Sequence, residues 1–266
     1  MELTNPDLHS FCYTSLAQLL VDMESAFGTG HDVVCISGVS IDVFETIEQA
    51  RDEGKSWFHK ARLAYITSGL LLFVTMPGLR RDVAQTGIGY QLQRLGVQMG
   101  LTKNLPGGGS GKHTVHKNSS AEPDGCFYAT GWANGPTVVI EVASSQSFNN
   151  VKAKGALWIT SPGIKAVVLV NLDAASRTIT VTKLVPAPQA HHTRGSPSPH
   201  PETAACVVIR PVHGAPGAYP LDPSLDQTLA LAYGDVTGEA APAGGPRDFC
   251  LDAAFLREWA ADVWSV

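Results

Sequence analysis

Two acidic residues draw attention because each adjoins or interrupts an apolar segment. Asp124 ends the run Glu122-Pro123-Asp124, directly before a short apolar segment, and Glu141 lies inside the β-branched run TVVIEV. A carboxylate among Val and Ile side chains is costly unless a cation neutralises it. If the two segments form neighbouring strands, both carboxylates can share a divalent cation, with the backbone carbonyl of Ala143 as a third oxygen ligand.

Two lysines follow these carboxylates in the next predicted helix. Lys152 or Lys154 could return an ammonium group to a metal-bound phosphate and orient the attacking water. Asp124, Glu141 and one of these lysines would then form a phosphodiesterase site. The same residues also fit a structural interpretation, in which Glu141 pairs with a buried lysine or arginine. Residue types and spacing leave both interpretations open.

Two further motifs are weaker indications of chemistry. The segment 107–112 reads GGGSGK, but Pro106 stands where a phosphate-binding loop needs its first glycine, and His113 follows the lysine. His113 and His116 are spaced like zinc ligands, yet no third ligand lies nearby in the sequence. We therefore expect a polar loop here, with neither a nucleotide site nor a zinc site.

The hydrophobic pattern predicts a mixture of helices and strands. Helical periodicity marks residues 15–27, 80–99, 148–159 and 249–264, and a charged helical turn covers 45–53. Apolar or alternating runs predict strands at 33–43, 62–66, 70–75, 126–129, 137–142, 165–171, 177–185 and 204–212. Residues 105–120 and 233–247 are rich in Gly and are expected to be a loop and a linker. The predicted fold class is α/β (α+β), a mixed central β-sheet flanked by helices.

The order of these motifs resembles the Uma-two-like restriction endonuclease family, a branch of the PD-(D/E)XK nucleases, and especially its eukaryotic members. The resemblance covers residues 62–183 and runs through a hairpin, an MPG turn, a helix, EPDG, VIEVASSQS, a helix with Trp158, and GIKAVVLVNLD. It places the PD motif on Pro123-Asp124 and the second acidic position on Glu141. It implies a restriction-endonuclease-like sheet and Mg²⁺ or Mn²⁺ at these carboxylates. It also implies hydrolysis of nucleic acid, with Lys154 or Lys152 as the catalytic lysine.

Departures from the family pattern support a second hypothesis. Ala143 replaces the lysine expected two residues after Glu141. Relatives often have an acidic residue where this chain reads Arg62-Leu63-Ala64-Tyr65, and a histidine where it reads Leu79-Arg80-Arg81-Asp82. Asp82 could supply an outer carboxylate to the metal. The alternative is a catalytically inactive nuclease-fold domain that is retained for binding or assembly.

We expect one folded unit with additions. Residues 1–54 form an acidic N-terminal extension and 55–185 form the PD-(D/E)XK-like core. Residues 186–203 are rich in Pro, Ser and His and are expected to be a flexible insertion. Residues 204–266 supply a strand, a linker and a helix that complete the same domain. An exposed strand edge could pair in a homodimer, although nothing in the sequence requires one.

Charge is distributed unevenly along a chain whose net charge is −5. Residues 1–54 carry ten acidic side chains and one basic side chain, whereas 55–120 carry nine basic side chains and one acidic side chain. A basic segment can bind a polyanion even in an acidic protein, although the same charges also fit a solvated surface. The expected nucleic-acid contacts are Arg80, Arg81, Arg94, Lys112 and Lys117.

Cysteine usage and the N-terminus bear on location. The five cysteines are scattered without a CxxC pair, which favours a reducing compartment. The first twenty residues lack the basic start and apolar run of a signal peptide. The longest apolar stretch, residues 70–74, falls far short of the ~18 residues of a membrane span. We expect a soluble intracellular protein, cytoplasmic or nuclear.

Overall fold

The computed structural model describes residues 10–54, 57–101, 105, 107–109, 111–115, 119–129, 135–144, 148–187, 201–211, 219, 228–245 and 248–266. Its helices are α1 (Leu16–Gly28), α2 (Ile41–Asp52), α3 (Leu79–Gln98), α4 (Phe148–Ile159), α5 (Tyr233–Thr237) and α6 (Ala253–Ser265). The strands are β1 (Ser10–Cys12), β2 (Val33–Ser37), β3 (Arg62–Ile66), β4 (Leu71–Thr75), β5 (Gly107–Gly108), β6 (His113–Thr114), β7 (Ser120–Ala121), β8 (Gly125–Tyr128), β9 (Pro136–Ser144), β10 (Ala166–Asp173), β11 (Thr178–Pro186), β12 (Pro201–Ile209), β13 (Leu229–Ala232) and β14 (Asp248–Leu251). The fold class is therefore mixed α+β, as the hydrophobic pattern predicts.

The first sheet combines the N-terminal segment with the predicted hairpin. Its strand order is β1-β2-β4-β3-β7-β6, and β2, β4, β3 and β7 pair antiparallel in turn. One face packs against α1 and α2 through an apolar cluster that includes Met23, Phe44 and Tyr65. The described part of the acidic segment, residues 10–54, thus contributes two strands to this sheet and two helices that pack on it.

The second sheet carries both acidic motif residues. Its strand order is β12-β11-β10-β9-β8-β5. Strands β9 and β10 run parallel, with Glu141 opposite Leu169, and α4 makes the crossover that a parallel pair requires. Strand β8 pairs antiparallel with β9, so Gly125 lies opposite Ile140. This arrangement puts Asp124, which directly precedes β8, next to the C-terminal half of β9.

Strand alternation in β9 decides where Glu141 points. Val138, Ile140 and Val142 join the apolar cluster that contains residues of α3 and α6. Val139 and Ala143 join a different cluster, which contains α4 and the inner face of the first sheet. Because successive strand side chains point to opposite faces, Glu141 shares the α4 side with Val139 and Ala143. The glutamate is therefore enclosed between α4 and the two sheets.

A helix replaces the second half of the strand predicted at 33–43. β2 ends at Ser37, and Gly38 has a φ of +76°, a conformation that glycine adopts without strain. The side chain of Ser40 then accepts a hydrogen bond from the Val43 backbone N–H and caps α2. The alternating pattern of this segment belongs to two elements, so the predicted strand is too long and the predicted helical turn at 45–53 too short.

The C-terminal region also departs from expectation. The predicted linker 233–247 begins with α5, and Phe249 lies in β14, which pairs antiparallel with β13. Asp252 caps α6 by accepting a hydrogen bond from the Phe255 N–H, so this helix begins later than predicted. Most of the predicted insertion 186–203 lies outside the described residues. None of the helices in the described ranges is long and apolar enough to cross a membrane.

Candidate functional site

Asp124 lies at the entry to β8, and donors surround its carboxylate. Its Oδ1 accepts a hydrogen bond from the guanidinium group of Arg62 on β3. Its Oδ2 accepts one from Arg81 Nη2 on α3 at 2.9 Å and another from the Val142 backbone N–H on β9 at 2.7 Å. Three separate elements therefore meet at one buried carboxylate. The Asp124 side chain is only 1% exposed, so water hardly competes for these contacts.

The surrounding charges keep Asp124 ionised. Burial opposes ionisation, but Arg81, Lys154 and Arg62, together with the Val142 N–H, lower the pKa of Asp124 to about 2. The two arginines that contact Asp124 also form ion pairs with other acidic residues. Arg81 Nη1 lies 3.1 Å from Asp32 Oδ2, and Arg62 Nη2 lies 3.4 Å from Asp82 Oδ1.

Glu141 occupies a second buried position with its own donors. Lys154 Nζ on α4 lies 3.0 Å from Glu141 Oε2, and Trp158 Nε1 donates to Glu141 Oε1 at 2.6 Å. Lys154 and Trp158 are four residues apart, so they lie on the same face of α4. Burial is the largest influence on Glu141 and, with the neighbouring Asp124 charge, raises its pKa to about 7 against the opposing effect of Lys154.

Lys154, which contacts Glu141, also contacts a third acidic residue, Glu122. Its Nζ donates to the backbone carbonyl of Glu122 at 2.8 Å. The Glu122 side chain accepts from Arg51 Nη1 at 2.6 Å and from the Leu63 N–H at 3.2 Å. Glu122 is therefore tied through its carbonyl to α4 and through its carboxylate to α2 and β3.

The structure brings together three of the predicted catalytic residues and separates the others. Asp124, Glu141 and Lys154 belong to one cluster, whereas Lys152 is exposed, with its Nζ 4.6 Å from the centroid of the Phe148 ring. Ala143 is buried in β9 and lies opposite Asn171 of β10. The backbone group that contacts Asp124 is the N–H of Val142.

Asp82 and the predicted nucleic-acid contacts mostly take part in internal interactions. Asp82 pairs with Arg62, and Arg81 is buried between Asp32 and Asp124. Arg80 Nε donates to the Val266 backbone carbonyl at 2.9 Å, and its guanidinium lies 5.4 Å from the centroid of the Trp264 ring. Lys112 pairs with Glu48, Arg94 is exposed, and Lys117 lies outside the described residues.

The cluster does not fit a divalent cation. Each carboxylate oxygen of Asp124 and Glu141 already accepts a hydrogen bond. All five donors are cationic groups or fixed N–H groups, and four of them belong to buried residues. A hard cation such as Mg²⁺ needs open carboxylate or carbonyl oxygens. Within the described ranges, no group of three or more His, Cys, Asp or Glu side chains could hold a metal ion. Arg62 and Arg81 supply positive charge at this point instead.

Sequence reasoning missed the arginine partners of Asp124, whereas the pairing of Glu141 with a buried lysine was one of the two interpretations it left open. The contact between Arg62 and Asp124 was not predicted. Trp158 is buried in the core and also donates a hydrogen bond to Glu141. The spacing of Lys154 and Trp158 on one helix, beneath a strand with a buried acid, is the signal that could have revealed this contact.

A second polar cluster lies at β6 and β8. His113 Nε2 is 3.2 Å from the Tyr128 hydroxyl and 3.9 Å from Cys126 Sγ. Burial lowers the pKa of His113 and raises that of Tyr128 to about 12, so both side chains are uncharged at neutral pH. His116, the other half of the HTVH motif, lies outside the described residues. A neighbouring cleft of about 270 Å³ is lined by residues of α3, β5 and β8, including Gln85, Tyr90 and Phe127.

The chain is similar to solved structures, but neither a family model nor a curated protein matches it. A crystal structure of a "putative nuclease belonging to DUF820" from Anabaena variabilis aligns with a TM-score of 0.38 and 13% identity. The alignment covers 74% of this chain and 90% of that chain.

Proposed function

We propose that this chain is a nuclease-related domain that does not hydrolyse phosphodiester bonds and serves as a binding or assembly module. The observation that carries the proposal is the coordination of Asp124 by two guanidinium groups, from Arg62 and Arg81. A divalent cation would have to displace a cationic side chain that is hydrogen-bonded in a largely buried site. Breaking such a contact leaves an unpaired charge with little access to water, which is strongly unfavourable.

The relation to the Uma-two-like family, and with it to the PD-(D/E)XK nucleases, is part of this proposal. Its support is the sequence order together with the meeting of Asp124, Glu141 and Lys154 around β8, β9 and α4. On this proposal, the former catalytic residues now hold elements together. Asp124 joins β3, α3 and β9, and the Glu141–Lys154 pair attaches α4 to the second sheet.

The proposal is tested by titrating Mn²⁺ and Mg²⁺ into the wild-type protein and by incubating it with DNA and RNA in the presence of either ion. We expect no saturable binding heat and no cleavage products. The Asp124→Asn variant removes the motif carboxylate, and Asp262→Asn, on the exposed side of α6, is the matched control. Saturable metal binding together with cleavage, both lost in Asp124→Asn and retained in Asp262→Asn, would overturn the proposal.

A metal-dependent nuclease is the second candidate function. The observation that favours it is the same convergence of Asp124, Glu141 and Lys154, which matches the residue types of a PD-(D/E)XK centre. The arginines at Asp124 oppose it, because they neutralise the charge that would attract a cation. Cleavage that persists in Asp124→Asn would assign the activity to a contaminant or to another site, and would exclude this candidate.

A further inference from the structure

Strand β12 forms one edge of the second sheet. Within the described ranges it pairs through its backbone with β11 alone, so the outer edge of β12 carries no neighbouring strand. Pro201, Glu202, Thr203, Ala204 and Cys206 are exposed. An open edge presents unpaired N–H and C=O groups and is a ready template for another strand.

The second half of β12 lacks the features that usually protect an edge. The register with β11 shifts between Lys183 and Leu184, so the irregularity falls at Ala204, directly before the last five residues of β12. From Ala205 to Ile209 the pairing is regular, and this segment contains no charge, no proline and no glycine. Natural edge strands are commonly blunted by lysine, proline or bulges. The regular segment 205–209, which we call the open edge, therefore lacks such protection.

The charges at the two ends of the open edge favour one type of partner. Glu202 precedes the segment and Arg210 follows it. In an antiparallel pair of identical strands centred on Val207, Arg210 of each copy lies opposite Ala204 of the partner subunit and one diagonal step from the partner subunit's Glu202. A parallel pair would instead place Arg210 beside Arg210. Opposite charges on neighbouring strands stabilise a pair, and like charges destabilise it.

We propose that two copies of this chain associate through antiparallel pairing of their open edges, with the two-fold axis near Val207, so that the second sheet continues from one protomer into the next. Pairing centred on Val207 aligns the segment 205–209 with itself. It places Cys206 of one copy opposite Val208 of the other, one diagonal step from the second Cys206. The open edge lies three strands from β9 and contains no residue of the Asp124 cluster. Dimer formation is therefore independent of whether that cluster binds a metal.

The first test is the mass in solution as a function of concentration, by light scattering on a size-exclusion column. We expect a species of twice 28.2 kDa at high concentration. Arg210→Glu should shift the protein to the monomer, because both ends of the paired strands would then carry two acidic residues. The double variant Glu202→Arg/Arg210→Glu should recover the dimer. A wild-type protein that stays monomeric, or a dimer that Arg210→Glu leaves unchanged, would overturn the proposal.

Cross-linking gives a second, independent readout. Cys206 is exposed near the proposed axis, while the exposed Cys12 and Cys250 lie on other strands. A short bifunctional maleimide should link two chains in the wild type and in Cys12→Ser/Cys250→Ser, and should fail in Cys206→Ser. Cross-linking that survives Cys206→Ser but is lost in Cys12→Ser/Cys250→Ser would place the interface elsewhere.

Discussion

The charge of Asp124 is neutralised by two arginines that lie far from it in the sequence. Arg62 supplies one guanidinium from the start of β3, and Arg81 supplies the other from α3. Arginine suits this role because its planar group keeps its charge when buried and donates in fixed directions. The sequence supports predicting that Asp124, Glu141 and a lysine meet. Pattern alone does not reveal which donors fill the carboxylate oxygens, since those donors come from distant segments.

Removing Arg62 should create a cation site. In Arg62→Ala, Asp124 Oδ1 and Asp82 Oδ1 would line the space that the guanidinium occupies, because both contact that group in the wild type. We expect Mn²⁺ to bind Arg62→Ala measurably in a calorimetric titration and not to bind the wild type. Arg62→Ala/Asp124→Asn is the control and should not bind. Absence of binding to Arg62→Ala would show that the guanidinium is not what excludes the metal.

Replacing Asp124 should destabilise the protein. Asp124→Asn conserves size but leaves Arg62 and Arg81 without their shared anion, and loss of one partner of a buried ion pair typically costs about 3–5 kcal/mol. Urea unfolding at neutral pH should show a loss in this range, while the surface control Asp262→Asn should change stability by less than ~0.5 kcal/mol. Equal stability of the two variants would contradict a structural role for the cluster.

The contribution of Asp124 to stability should depend on pH, and the same variant tests this. The pKa of Asp124 is lowered from 3.8 to about 2, so its contribution to stability is fully present above the ordinary value and is lost as the pH falls through the folded value. The difference in free energy of unfolding between wild type and Asp124→Asn should therefore narrow between pH 4 and about 2. Urea unfolding repeated along this range measures it. A difference that stays constant would show that Asp124 titrates normally in the folded protein.

Elements whose residues follow one dominant hydrophobic period were predictable from the sequence. Elements that follow each other without a strong break in the hydrophobic pattern were not. The β-branched run of β9 and the helix Phe148–Ile159 follow directly from their patterns. In contrast, Ser40 begins a helix within residues that alternate like a strand, and Phe249 belongs to a strand whose partner β13 lies about twenty residues earlier. Such pairing depends on contacts that a local pattern does not contain. The sequence therefore predicts the sheet around the cluster better than the ends of the chain.

Two glycines of α3 provide a matched test of how this helix packs on α6. A Cβ at Gly87 would lie 2.5 Å from Trp259 Cδ1, whereas a Cβ at Gly89 would lie no nearer than 3.9 Å to Phe127 Cζ. Trp259 Nε1 also donates to the Ala84 backbone carbonyl at 3.0 Å. We expect Gly87→Ala to destabilise by about 1–3 kcal/mol through overpacking. Gly89→Ala should stabilise by up to ~1 kcal/mol through helix propensity.

Urea unfolding of the two glycine variants measures both changes on the same scale. The sign of the difference in unfolding free energy between Gly87→Ala and Gly89→Ala matters more than its size, because the two sites share one helix and differ in their neighbours. If both substitutions stabilise the protein equally, α3 and α6 do not pack as closely as the Gly87–Trp259 contact requires.

At the scale of the whole molecule, ion pairs among the described residues compensate part of the uneven charge along the sequence. Arg81 and Lys112 of the basic segment pair with Asp32 and Glu48 of the acidic segment. Arg62 of the basic segment likewise pairs with Asp82 and Asp124. Charge counted along the chain therefore overstates the positive surface available to a polyanion. The sequence alone could not show this, because the pairs join residues far apart in the chain.

Binding to nucleic acid should consequently be weak. Non-specific binding typically has a Kd of about 10⁻⁴ to 10⁻⁶ M and depends on cations that are free to contact phosphates. We expect anisotropy titrations with labelled single- and double-stranded DNA and RNA, near physiological salt, to give affinities no tighter than the weak end of that range. Arg94 is exposed on α3, and Lys165 is an exposed control outside that helix. If binding is micromolar, and if its salt dependence falls in Arg94→Ala but not in Lys165→Ala, α3 is a nucleic-acid surface.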